Sequence, residues 1–80
     1  MIEYDEAEPY AESLREFDKA FFSYRADRAP HKRLALVSAA ANLGDDIHTA
    51  RSLGWVTSER AAELDAHLET GYALLEKVRG

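Results

Sequence analysis

The chain has 80 residues, no cysteine, and 15 Asp and Glu against 10 Lys and Arg, for a net charge of -5. A chain this short forms one domain that buries roughly 60% of the surface its unfolded form exposes, leaving no room for a catalytic domain beside a binding domain. Without cysteine there are no disulfides and no Cys-based zinc sites. No apolar run approaches the ~18 residues of a membrane span.

The opening stretch, MIEYDEAEPY, is acidic and has no apolar run, so no secretory signal is expected in it. The expected setting is the cytoplasm of a bacterium or phage-infected cell. Tyr10, Leu14, Phe17, Phe21 and Tyr24 then recur at helical heptad spacing and predict a first helix over about 9–28. Glu8 and Pro9 suit its start, and Pro30 pushes Ala29 out of helical geometry to end it.

A second helix over about 31–53 carries the seam Leu36, Ala40, Leu43, Ile47 and Ala50, with Gly54 as its C-terminal cap. Its middle is thin, built from Ala39, Ala40, Ala41 and Gly44. A third helix over about 58–78 starts with Thr57 or Ser58 as cap and Glu59 in the first turn, and Val56 can staple onto Ala61. Its seam is Leu64, Leu68, Gly71, Leu75 and Val78.

Short connections make successive helices antiparallel neighbours. The expected fold is therefore all-α, one domain over residues 1–80: an antiparallel three-helix bundle running up, down, up. A helical hairpin with a detached helix, completed by a second chain, is the alternative. Counting away from each turn sets Phe17 level with Ala40 and Gly71, so the Phe17 ring is expected to fill the space those two small residues leave.

This arrangement sorts the charges into two poles. Glu3, Asp5, Glu6, Glu8, Glu12, Asp45, Asp46, Glu59 and Glu63 gather at one end, and Arg25, Arg28, Lys32, Arg33, Lys77 and Arg79 at the other. The first and third helices thereby match their dipoles. The second runs basic to acidic, against its dipole, which either matches its antiparallel neighbours through exposed ion pairs or steers a charged partner.

Several constellations touch on chemistry. Arg25 and His31 resemble the Arg/His pair of HEPN-type ribonucleases, but Ala26 replaces the polar residue that usually follows the Arg and Pro30 breaks the helix between them. Asp45 with His48, and Glu63 with His67, have the spacing of bundle metal sites, yet the first helix carries no carboxylate on its seam. Ala50 to Leu64 has the Ala-x-x-x-Gly spacing of a helix-turn-helix, followed by a helix too acidic to approach phosphates. No P-loop, dinucleotide motif or nucleophile–base set is present. The expectation is no enzyme, no metal and no cofactor, with an Arg/His-dependent ribonuclease as the outlying alternative.

Two aromatics lie off the seams. Trp55, in the second turn, is expected to fold beneath it, with an exposed anchor as the alternative. Phe22 either tucks against a neighbouring helix or belongs to a second contact surface.

The run LGDDIHTARSLGWVTSERAAELDAHLETGYALLEKV (Leu43 to Val78) resembles the last two helices of a four-helix-bundle family. That family includes proteins encoded within 23S ribosomal RNA insertions and the accessory variability proteins of diversity-generating retroelements. The resemblance implies a helical hairpin. This chain is one helix shorter, and acidic where the retroelement proteins are basic, so no membership is read from it.

The function expected from these residues is that of a small non-enzymatic protein–protein interaction module, a regulatory or phage-encoded inhibitor or adaptor. Its contacts would be a basic pole (Arg25, Arg28, His31, Lys32, Arg33) and an acidic pole with aromatics (Asp45, Asp46, Glu59, Glu63, Phe22, Trp55). The partner is a protein or a second copy of the chain in a homodimer. The alternative is a nucleic-acid accessory protein whose basic pole at residues 25–33 contacts phosphates.

Overall fold

The structure, a computed structural model, describes residues 8 and 10–77. Three helices make an all-α bundle: α1 (Ala11–Ala26), α2 (Pro30–Ser52) and α3 (Ser58–Lys77). Its long dimension of 38 Å is set by α2, whose 23 residues span about 34 Å at 1.5 Å each.

The boundaries follow from local backbone chemistry. Helix α1 stops two residues short of the expected Arg28 because Asp27 is already extended (φ -145°, ψ 110°). Ala29 takes the extended geometry that a following proline imposes (φ -62°, ψ 143°). Pro30 itself opens α2, one residue earlier than expected, at a position where its missing N–H is not needed. The Ala29 carbonyl accepts from the N–H groups of Lys32 and Arg33. The expected first and last helical positions, Pro9 and Val78, lie outside the described residues.

The second turn is a Schellman motif. The Trp55 N–H bonds the Ala50 carbonyl at 2.8 Å and the Gly54 N–H bonds the Arg51 carbonyl at 3.2 Å. Gly54 sits at φ +73°, a left-handed conformation that favours a residue without a Cβ. Of the two candidate caps for α3, Thr57 serves: its hydroxyl accepts from the Arg60 N–H at 3.1 Å.

Most positions of the predicted seams form the core, with Phe21 only half-buried against it. Tyr10, Leu14, Phe17 and Tyr24 of the α1 segment are buried with Leu36, Ala40, Leu43, Ile47 and Ala50 of α2 and Leu64, Leu68 and Leu75 of α3. Cross-contacts establish the up-down-up order. At one end the Ser13 hydroxyl donates to Asp46, and at the other Lys32 pairs with Asp27 at 3.3 Å, so α1 and α2 are antiparallel. Gly44 meets Leu68 and Arg51 pairs with Asp65, so α2 and α3 are antiparallel too. Helices α1 and α3 are parallel, with Tyr10 near Arg60 and Phe17 near Gly71.

Backbones approach closely between α1 and α2 and between α2 and α3, whereas α1 and α3 meet mainly through side chains. Phe17 is the main spacer, and it occupies the predicted place against Gly71, with Ala40 buried in the same core. A Cβ built on Gly71 would lie 2.5 Å from Phe17 Cζ and 2.6 Å from Cε1. The ring leaves no room for a methyl group there.

Gly44 presents the opposite case. A Cβ there would meet only Leu68 Cδ2 at 3.6 Å, an ordinary van der Waals contact. Glycine to alanine gains about 1 kcal/mol of helix propensity at either site. Overpacking at Gly71 costs about 1–3 kcal/mol and cancels or outweighs that gain. In chemical denaturation, Gly44→Ala should therefore raise the midpoint. Gly71→Ala should fall clearly below Gly44→Ala, and adding Phe17→Leu should recover part of the loss.

Candidate interaction surfaces

The basic bend is assembled from two helix ends. Arg25 lies in the last turn of α1, Arg28 in the connection, and His31, Lys32 and Arg33 in the first turn of α2. Arg25, Arg28 and His31 are exposed, while Lys32 and Arg33 are half-buried. The bend is not uniformly positive, because Asp27 sits inside it and pairs with Lys32. The Arg28 guanidinium lies 5.4 Å from the centre of the Tyr24 ring, a cation–π contact that holds it against the bundle. Arg25 and His31 lie on different helices on either side of this bend, and Pro30 begins the second of them.

The acidic pole is partly neutralised from within by Arg60, a residue the sequence reading did not single out. Its guanidinium pairs with Glu8 at 3.1 Å, lies 3.8 Å from Glu63, and donates through Nε to the Tyr10 hydroxyl at 3.0 Å. Arg60 is half-buried and so ties the start of α3 to the start of α1. Asp46 accepts from Ser13 across α1 and α2. Asp45, Glu59 and Glu63 face solvent. Glu3, Asp5, Glu6 and Arg79, and the side chain of Lys77, lie outside the described residues.

Trp55 overturns an expectation. It does not fold beneath the turn; it is 58% exposed, beside Leu53 at 56%. The reason is the turn itself. The Schellman hydrogen bonds place Trp55 just past the helix end, its N–H on the Ala50 carbonyl, and Val56 packs against the core in its stead. Two large apolar side chains therefore project from a turn in which the N–H groups of Leu53, Gly54 and Trp55 are all hydrogen-bonded. The Ala50-x-x-x-Gly54 spacing noted as a helix-turn-helix signal is the spacing of this cap. Phe22 is 43% exposed and makes an edge contact with Phe21, with ring centres 5.4 Å apart.

A buried polar pair was missed altogether. Asp18, just off the α1 seam, is buried and approaches His67 Nε2 of α3 at 2.5 Å through Oδ1. The Phe17 ring meets the same imidazole edge-on, with centres 5.3 Å apart. The second Asp18 oxygen is buried with no hydrogen-bond partner among the described residues. Helix α1 does therefore bring a carboxylate to the interior, and His67 pairs with it rather than with Glu63. Its spacing from Leu14 (i+4) was the available signal, since that places it on the flank of the seam turned to α3.

Among the described residues, no three His, Asp or Glu side chains converge as a metal site would require. No helix among them is long and apolar enough to cross a membrane. The Asp18–His67 contact fastens α1 to α3 where their backbones stand apart. Asp18→Ala should cost about 1–3 kcal/mol, since it removes a buried partner and leaves an imidazole unsatisfied. Arg51→Ala breaks only the exposed 2.7 Å pair with Asp65 and should cost under about 1 kcal/mol. Thermal unfolding followed by circular dichroism ranks the two.

Compared with protein-family models, curated proteins and solved structures, the chain matches none, so the resemblance over Leu43 to Val78 gains no support from them.

Proposed function

We propose that the protein is a small non-enzymatic interaction module, a regulatory inhibitor or adaptor that docks onto a protein partner through its acidic pole. The observation that carries this reading is the tip of the α2–α3 turn, where Leu53 and Trp55 are exposed on a backbone fixed by hydrogen bonds. Ordering a flexible loop on binding costs free energy, and a turn already rigid avoids most of that cost. An exposed tryptophan so presented has the composition of a binding hot spot.

A second reading is favoured by the exposure of Arg25, Arg28 and His31 at the opposite end, which suits contacts to nucleic-acid phosphates. It is weakened by Asp27, which sits among them and pairs with Lys32.

Trp55 is the chain's sole tryptophan, so its emission reports directly on this surface. The chain is used as bait in host lysate beside a Leu53→Ala/Trp55→Ala variant, and a captured partner is titrated against Trp55 fluorescence. The expected result is a saturable blue shift and loss of at least ~2 kcal/mol of binding in the variant. Its folding stability should change by about 0.5 kcal/mol or less, as for exposed positions. Equal capture by both baits would remove the tip from the reading. For the second reading, a salt titration with RNA and DNA is decisive: binding at low salt that falls with rising salt and with Arg25→Glu/Arg28→Glu would favour it.

A further inference from the structure

The outer face of α1 and α2, on the side away from α3, carries two hollows of about 320 and 310 Å³ that meet at Glu16 and Ala39. They form one continuous groove along the bundle. Its floor is made of small residues, Ala20, Ala35 and Ala39. Its two halves carry opposite charge. Lys19, His31 and Lys32 border the first, and Glu12, Asp45 and Asp46 border the second.

Helix α2 shows a second periodicity here. His31, Ala35, Ser38, Asn42, Asp45 and Thr49 follow heptad spacing on a face distinct from the core seam. Each of these side chains is small or polar and exposed. The spacing is that of a helix-packing surface, and no helix among the described residues covers it.

We propose that this groove is the interface of an antiparallel two-fold dimer of this chain. The occupant follows from the charge layout. A two-fold axis lying across the groove near Ala39 reverses the partner end for end, so that α2 of one protomer lies antiparallel to α2 of its partner. Lys32 and His31 of each protomer then face Asp45 and Asp46 of the other, in two identical sets. At the crossing, Ala35 and Ala39 let the backbones approach closely, with Ser38 and Asn42 beside them for hydrogen bonding. A parallel arrangement would stack base on base and acid on acid, and repulsion disfavours it.

The same geometry accounts for the separation of charge along α2. Its basic first turn opposes the helix dipole, whereas Arg51 in its last turn matches it. Within the protomer Asp46 accepts from a serine, and Lys32 pairs with Asp27 of its own connection. An antiparallel α2–α2 contact requires opposite charge at the two ends of the groove, in either order, because each end then meets its opposite on the partner.

The test is the solution mass of the intact 9.0 kDa chain by sedimentation equilibrium at low salt. The expected species is a dimer. Lys32→Glu alone and Asp45→Lys alone each place like charges together at both symmetry-related contacts and should shift the mass to the monomer. Both substitutions in one chain reverse the polarity of the groove, keep it self-complementary, and should restore the dimer. Asp45 is exposed and Lys32 half-buried in a pair with a surface carboxylate, so the variants should fold, which far-ultraviolet circular dichroism checks. A wild-type chain that stays monomeric overturns the proposal. A dimer indifferent to the single reversals, or not restored by the double one, overturns it as well. Trp55→Ala should leave the mass unchanged, so failure here is distinguishable from failure of the Trp55 tip as a docking site.

Discussion

The seat of Phe17 against Gly71 is the contact on which the rest of the bundle depends. Helices α1 and α3 run parallel, and their backbones stand further apart than either does from α2. The Phe17 ring spans that gap and stops where a Cβ on Gly71 would begin. With the distance so fixed, Asp18 on the next position of α1 reaches His67, one turn before Gly71 on α3, and His67 in turn packs its ring against Phe17. Hydrophobic spacer and polar lock share the same turn of both helices. A parallel pair without a direct connection has no turn to hold its register, and this cluster, with Arg60 on Tyr10 and Glu8 lower down, supplies it.

The two ends of the bundle are built for different purposes by different local chemistry. At one, a proline forces the chain out of α1 and straight into α2 across an extended connection of three residues, Asp27–Ala29. The crowding of positive charge there is relieved by Asp27 and by the Tyr24 ring. At the other, a glycine-capped, hydrogen-bonded turn leaves Trp55 in water while Val56 packs against the core. The exposed Leu53 and Trp55 at this turn, and the oppositely charged halves of the groove along α1 and α2, are the surfaces that the proposed docking and the proposed dimer would cover.

Much of this was legible in the residues. Three seams at heptad spacing determine three helices, because only side chains recurring at that period share a face. Pro30 and Gly54 mark the turns through backbone restrictions that act within a few residues. The level match of Phe17 with Gly71 followed from chain counting once the helices were taken as antiparallel neighbours. The role of Asp18 did not follow, since a carboxylate one position off a seam is solvated or buried according to how close the neighbouring helix comes. Nor did that of Arg60, whose partners Glu8 and Tyr10 are distant in sequence and adjacent only across α1 and α3.

The bend RADRAPHKR and the turn LGWV divide along the same line. The sequence by itself determined that each interrupts a helix, because proline and a left-handed glycine constrain their own backbone whatever surrounds them. Whether Trp55 or Val56 would enter the core was decided by the tertiary structure alone. Space beneath the turn depends on the separation of α2 and α3 there, and the Schellman geometry hands that space to Val56. So too with the charged groove: its residues are spread over two helices, and only the antiparallel packing of α1 on α2 gathers Lys19 with Lys32 and Glu12 with Asp45 at opposite ends of one surface.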